Sequence, residues 1–248
     1  MKDFKIVFVD SIIPISQYEK EIIEGFGCTV TQHNAITPKE ILEVAGDADA
    51  IMTCGGHFTR EAIEGLTKCK VIARYGQGFD NVDVRAATEK GIVVTYVPVY
   101  CQEEVATLAL TLMLACERKL LNADKAVKSG HWSSSVRVVE GARSIRGKTI
   151  GLVGLGSIQK RLVGFLKPFG VKMISYDPYI NREFCAENDI EPVDLDTLLK
   201  SSDDVFLQVP LTDETRHMIS ARELSLMKSD AVLINTGRGA LVDQLALT

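Results

Sequence analysis

"GLVGLGSIQK", residues 151–160, passes from a β-branched apolar segment through two closely spaced glycines into a helical pattern. A dinucleotide-binding turn of the form G-x-G-x-x-G would place its glycines at 154, 156 and 159. Gly154 and Gly156 are in place, and Gln159 stands at the third position. Two glycines of three decide little alone, so the surroundings carry the reading. "KTIGLVG" reads as a strand, "SIQKRLVGFLKPFG" as a helix with Ile158, Leu162 and Phe165 on one stripe, and "KMISYD" as the next strand. That is the strand–helix–strand frame the fingerprint requires.

In this frame Gly154 makes the tight turn and Gly156 lets the backbone approach a pyrophosphate, whose charge falls on the first helical amides at Ser157 and Ile158. Asp177 ends the second strand about twenty residues past the glycines. There a carboxylate accepts from the adenosine ribose hydroxyls and repels a 2′-phosphate, which predicts NAD in preference to NADP. A side chain at 159 is expected to overpack the helix against the strand, at a cost of about 1 to 3 kcal/mol, weakening NAD binding without abolishing it.

The same alternation runs through the chain. "KIVFVD", "ADAIMTC", "KVIARYG" and "GIVVTYVP" are strand-like, separated by helical stretches such as "YEKEIIEGFG", "TPKEILEVAG" and "TREAIEGLTK". Thr37 and Thr59 mark helix starts, and Gly25, Gly27, Gly46, Gly65 and Gly91 sit where helices should stop. After one long predicted helix over 101–128, a second series follows: "GKTIGLVG", "VKMISYDPY", "DDVFLQVP" and "DAVLINTG". The expected fold is α/β, with two doubly wound parallel-sheet domains over 1–99 and 100–248.

Composition narrows the function. A net charge of −5 gives no basic footprint for nucleic acid or an anionic membrane. The longest apolar run, Val105–Cys116, is about twelve residues where roughly twenty are needed to span a bilayer. The six cysteines show no C-x-x-C spacing, which argues against structural zinc and for free thiols in a reducing cytoplasm. The apolar run and the "HWSSSVRVV" arm with Trp132 predict a homodimer.

"YCQEEVATLALTLMLACER", "GKTIGLVGLGSI", "SYDPY", "VPLTDETRHMI" and "LINTGRGALVD", in this order, resemble the D-isomer-specific 2-hydroxyacid dehydrogenases. The resemblance implies a flavodoxin-like substrate domain, a Rossmann NAD domain and small 2-hydroxy or 2-oxo acids as substrates. It places Arg238 at the catalytic arginine that grips the substrate carboxylate and 2-oxo group, a task suited to a planar, permanently charged fork. It makes Gln77 and Gly78 of "YGQGFDNVD", and Gly55 of "TCGGH", backbone-amide donors to the substrate. Val209, Pro210, Thr215, Thr236 and Gly237 match cofactor-lining positions.

Members of that family continue past "NTGRGALVD" to a carboxylate and a Pro-His pair that serve proton transfer, whereas this sequence ends at "QLALT". On that comparison the Rossmann domain is expected to be incomplete and turnover impaired. His33, His131 and His217 read as surface or capping residues, His217 within the "TRHMI" helix start, and His57 lies nearest the substrate loops. Two readings follow: an NAD-dependent oxidoreductase, or a non-catalytic NAD-binding sensor or corepressor-like binding protein.

Overall fold

The computed structural model describes residues 4–10, 14–131, 137 and 139–248. The chain divides into two compact units, Met1–Tyr100 and Cys101–Thr248.

In the first unit, β1 (Lys5–Phe8), β2 (Thr29–Gln32), β3 (Ala50–Thr53), β4 (Val71–Arg74) and β5 (Val93–Thr95) form a parallel sheet in the order β2-β1-β3-β4-β5. Val7, Ile51 and Ile72 pair across β1, β3 and β4 and are wholly buried. The helices are α1 (Gln17–Gly25), α2 (Pro38–Ala45), α3 (Arg60–Gly65) and α4 (Val84–Glu89). α2 starts at Thr37, whose hydroxyl accepts from Glu40 N while the Glu40 carboxylate accepts from Thr37 N, with Pro38 in the first turn. α2, α3 and α4 press Ile41, Ala45, Ile63, Ala86 and Ala87 into the core formed with Val7, Ile51 and Ile72.

In the second unit, β6 (Thr149–Val153), β7 (Lys172–Tyr176), β8 (Ile190–Pro192), β9 (Asp204–Leu207) and β10 (Val232–Asn235) are ordered β10-β9-β6-β7-β8, again all parallel. Its helices are α5 (Gln102–Glu117), α6 (Leu120–Lys128), α7 (Ser157–Leu166), α8 (Arg182–Glu187), α9 (Leu195–Ser201), α10 (Ala221–Leu226) and α11 (Gln244–Leu247). Successive strand residues serve opposite faces. Ile150, Leu152, Met173 and Phe206 pack with Met113 of α5 and Leu162 of α7, while Val153, Ile174, Val205 and Leu207 pack with Leu198 and Leu199 of α9. A sheet covered on both faces explains why these strands read as continuous apolar runs.

Four sequence readings need correction or completion. The single helix expected over 101–128 is two, α5 and α6, broken at Lys119, which is left-handed at φ 53°. Neither Gly nor Pro marks that break. The last α5 residue, Glu117, is buried and gripped by Arg143 and Lys148, so a tertiary contact ends the helix. Strands β2 and β8 escape the hydrophobic pattern because they are short, polar edge strands, "TVTQ" and "IEP". His217 lies in a turn at φ 54°, ahead of α10, and not in a helix start. Trp132 and most of its predicted dimer arm lie outside the described residues. Among the described residues no helix is long and apolar enough to cross a membrane.

Candidate functional site

In a doubly wound sheet, ligands collect beyond the carboxyl ends of the strands where the strand order reverses. In the second unit that point lies between β6 and β9. Gly154 follows β6 at φ +86°, and a Cβ there would meet Gln208 O at 2.7 Å and Val209 Cγ1 at 2.8 Å. Only glycine fits this turn. At Gly156 an added Cβ would meet nothing within 4 Å, so the backbone lies open on that side. Gly156 is also the N-cap of α7 and offers no capping side chain. The amides of Gly156, Ser157 and Ile158 therefore have no partner among the described residues, as the first turn of a helix leaves them.

Asp177 is bound into this turn. Its Oδ2 accepts from Leu155 N at 2.7 Å and its Oδ1 from Tyr179 N at 2.8 Å. Each oxygen keeps a further lone pair for a ribose hydroxyl. The cradle at Gly156, the uncommitted amides and the adjacent carboxylate fit the pyrophosphate and ribose of a dinucleotide.

Gln159 departs from the overpacking expectation. It is buried, and its Nε2 donates to Val153 O at 3.3 Å and Phe206 O at 3.0 Å, bridging the carboxyl ends of β6 and β9. Its Oε1 is buried without a partner. The side chain is accommodated by backbone carbonyls, which a local fingerprint does not reveal.

The other cofactor-lining candidates gather beside the same strand ends. Val209 lies between two glycines, because a Cβ on Gly237 would meet Val209 O at 3.3 Å. Thr236 Oγ1 donates to Gln208 Oε1 at 2.5 Å. Thr215 Oγ1 donates to Pro210 O at 2.7 Å and accepts from Thr212 N, which closes the 210–215 turn. Arg238 follows Gly237 directly. Its backbone carbonyl accepts from Asn235 Nδ2 at 2.8 Å and its guanidinium donates to Gly237 O at 3.2 Å.

The substrate-loop candidates lie in the first unit, past the carboxyl ends of β3 and β4. The Gly55 N–H expected to meet a substrate donates instead to Asp10 Oδ2 at 3.0 Å, which corrects that assignment. A buried carboxylate just past the end of β1 holds the amide at close range. The amides of Gln77 and Gly78 donate to no group among the described residues. His57 is exposed on the loop after β3 that carries Gly55, with its backbone N–H bonded to Ile36 O. His33 Nε2 meets Thr31 Oγ1 at 3.1 Å, and His131 Nδ1 meets Ser129 Oγ at 3.0 Å.

At the opposite ends of β6 and β9 sits a buried ionic cluster that composition alone did not announce. Lys148 Nζ lies 2.6 Å from Glu117 Oε2 and 3.7 Å from Asp204 Oδ2, and Arg143 lies 2.5 Å from Glu117 Oε1. Burial, then the Glu117 charge, pushes the Asp204 carboxyl up to about 7. Burial also acts to raise Glu117, but Lys148 and Arg143 outweigh it and hold that carboxyl below its ordinary value.

Residues 110–248 match the model of the D-isomer specific 2-hydroxyacid dehydrogenase NAD-binding domain. The chain belongs to the D-isomer specific 2-hydroxyacid dehydrogenase family. D-3-phosphoglycerate dehydrogenase of Methanocaldococcus jannaschii is 40% identical over 237 residues, 94% of this chain and 44% of that protein. Glyoxylate reductase of Thermococcus litoralis is 42% identical over 212 residues, 84% of this chain and 64% of that protein. The chain thus spans less than two thirds of either of these family members. Among solved structures, D-lactate dehydrogenase of Aquifex aeolicus complexed with NAD and lactic acid aligns with a TM-score of 0.86 at 29% identity, covering 98% of this chain and 72% of that one.

Proposed function

We propose that this chain binds NAD(H) through its second unit and transfers a hydride between that cofactor and a small 2-hydroxy or 2-oxo acid. The observation that carries the reading is the 154–158 turn, with its open backbone at Gly156, uncommitted amides and neighbouring Asp177 carboxylate. In this reading the first turn of α7 binds the pyrophosphate, and Asp177 orients the adenosine ribose and selects NAD over NADP. Val209, Pro210, Thr215, Thr236 and Gly237 line the cofactor. When bound, the nicotinamide supplies or accepts the hydride. Arg238 grips the acid's carboxylate and polarises its oxo group, and the uncommitted amides of Gln77 and Gly78 orient the carboxylate.

Reduction of a ketone also needs a proton for the forming alkoxide, and histidine is the side chain most often placed to give it. Of the four histidines, His33 and His131 bond to neighbouring hydroxyls, His217 sits in a turn and His57 is solvent-exposed. These placements support slow turnover by residues 1–248 taken alone. They also favour the second reading, an NAD-binding sensor without turnover. Leu108 and Leu112, 52% and 39% exposed on α5, support a homodimer, and six free thiols support a cytoplasmic setting.

Calorimetric titration with NADH and NADPH tests the cofactor assignment, with NADH binding about tenfold tighter or better, about 1.4 kcal/mol. NADH oxidation with glyoxylate, pyruvate and hydroxypyruvate tests the chemistry. A slow rate lost in Arg238→Ala and kept in His57→Ala is the expected result. A robust rate lost in His57→Ala overturns the account of proton delivery, and equal NADH and NADPH affinities overturn the role of Asp177.

A further inference from the structure

Asp10 follows β1 and is completely buried, yet no dinucleotide or substrate motif includes it. One of its carboxylate oxygens, Oδ2, accepts three hydrogen bonds: from Thr53 Oγ1 at 3.0 Å, Cys54 N at 2.6 Å and Gly55 N at 3.0 Å. The three donors are the last residue of β3 and the first two of the turn that follows it. The network then continues outward. Thr53 Oγ1 accepts from Gly56 N at 3.0 Å, and Gly56 O accepts from Asn81 Nδ2 at 2.7 Å. Asn81 Oδ1 accepts from Arg74 Nε at 3.4 Å, and Arg74 NH1 donates to Tyr75 O at 3.0 Å.

The turn after β3 is thereby joined to the turn after β4. A second seam reinforces the link, since Phe58 N donates to Asn81 O and Asp83 N to Phe58 O. Neither turn has slack. A Cβ on Gly56 would meet Thr53 Oγ1 at 2.8 Å, and one on Gly76, at φ +148°, would meet Arg74 NH1 at 1.8 Å. Between Gly76 and Asn81 stand Gln77 and Gly78, whose amides donate to no group among the described residues.

We infer that Asp10 is a positioning residue that presets both turns, so that the amides of Gln77 and Gly78 face an incoming carboxylate without reordering. The inference rests on the substrate reading of those two amides. Charge-assisted bonds are the strong class of hydrogen bond, and two backbone N–H groups with one hydroxyl on a single buried oxygen hold the 53–55 segment in a single conformation. Rigid donors lower the ordering cost of binding, so the loss should fall on acid affinity. The second unit, and with it NAD(H) binding, should be indifferent.

The test compares Asp10→Ala, Asp10→Asn and Thr53→Val with the parent chain by backbone hydrogen exchange and by NADH-dependent reduction of glyoxylate. Asp10→Ala removes every acceptor, whereas Asp10→Asn keeps one oxygen where the three donors converge. In Asp10→Ala, exchange over 53–57 and 75–81 should rise about tenfold or more, as loss of charged hydrogen bonds requires, with α2 unchanged. The KM for glyoxylate should rise by a similar factor, while kcat and NADH affinity hold. Asp10→Asn should recover most of both effects, and Thr53→Val should loosen 53–57 more than 75–81.

Unchanged exchange over both turns in Asp10→Ala overturns the proposal, as does an Asp10→Asn variant as impaired as the alanine. If Asp10→Ala does not fold, the Thr53→Val exchange pattern decides, and no change there also overturns it. A parent chain that neither binds nor reduces glyoxylate refutes the substrate reading, while the exchange data still judge the role of Asp10.

Discussion

Replacing Asp204 by Asn should change the pH dependence of stability more than stability itself. Asp204 is fully buried at the start of β9, beside Glu117 of α5, with Lys148 and Arg143 as the cations that face the pair. Its carboxyl titrates near 7 in the folded chain against 3.8 when unperturbed, because burial and then the Glu117 charge disfavour ionisation. A raised carboxyl means that the folded state binds more protons than the unfolded state between these two values, so stability falls as pH rises through this window. At about 1.4 kcal/mol per unit, the part of the window between pH 5 and pH 8 corresponds to a loss of about 2 to 3 kcal/mol. Glu117 runs the other way, but its lowered carboxyl titrates below that range and contributes little slope there. Asparagine preserves shape and removes the ionisation, so the gap between variant and parent should shift by about that amount in favour of the variant as the pH is raised from 5 to 8. Urea unfolding followed by circular dichroism at half-unit steps measures this, provided the slope with urea stays constant. Parallel stability curves for the parent and Asp204→Asn would refute the reasoning.

Other expectations follow from the cofactor turn and its supports. Gln159→Gly should lower stability by about 2 to 3 kcal/mol, from two lost hydrogen bonds and a glycine inside α7, with NAD affinity no tighter; urea midpoints and calorimetry check both parts. Gly154→Ala should abolish NAD binding or folding, because φ +86° and Gln208 O at 2.7 Å leave no room for a methyl group, and a near-parental dissociation constant would contradict this. Asp177→Ser should weaken NADH by about tenfold and narrow its advantage over NADPH, since the acceptors and the repelling charge are both lost; titration with each cofactor measures the ratio.

Much of this protein is legible in its sequence, because the relevant signals are local. Apolar runs at strand length, threonine caps before "PKE" and "REA", and glycines past helix ends follow from backbone sterics and hydrogen bonds a few residues apart. The Gly154, Gly156 and Asp177 spacing is of the same kind, since one strand–helix–strand unit brings these residues together whatever the rest of the chain does. The family resemblance added roles for Arg238 and the substrate loops, which periodicity cannot supply.

What only the tertiary structure decided involves groups distant in sequence. Gln159 reads as an intruder in its motif until Val153 O and Phe206 O are placed around its amide. Gly55 reads as a substrate donor until Asp10 takes its N–H. Lys119 leaves the helix with no breaker beside it, because Glu117 is fastened to Arg143 and Lys148 on a later loop. In each case a buried polar group had to find a partner, and the cost of leaving it unpaired outweighs local preference. Sequence order names the candidates for such pairings, and only the packing of β1 on β3 and β6 on β9 selects among them.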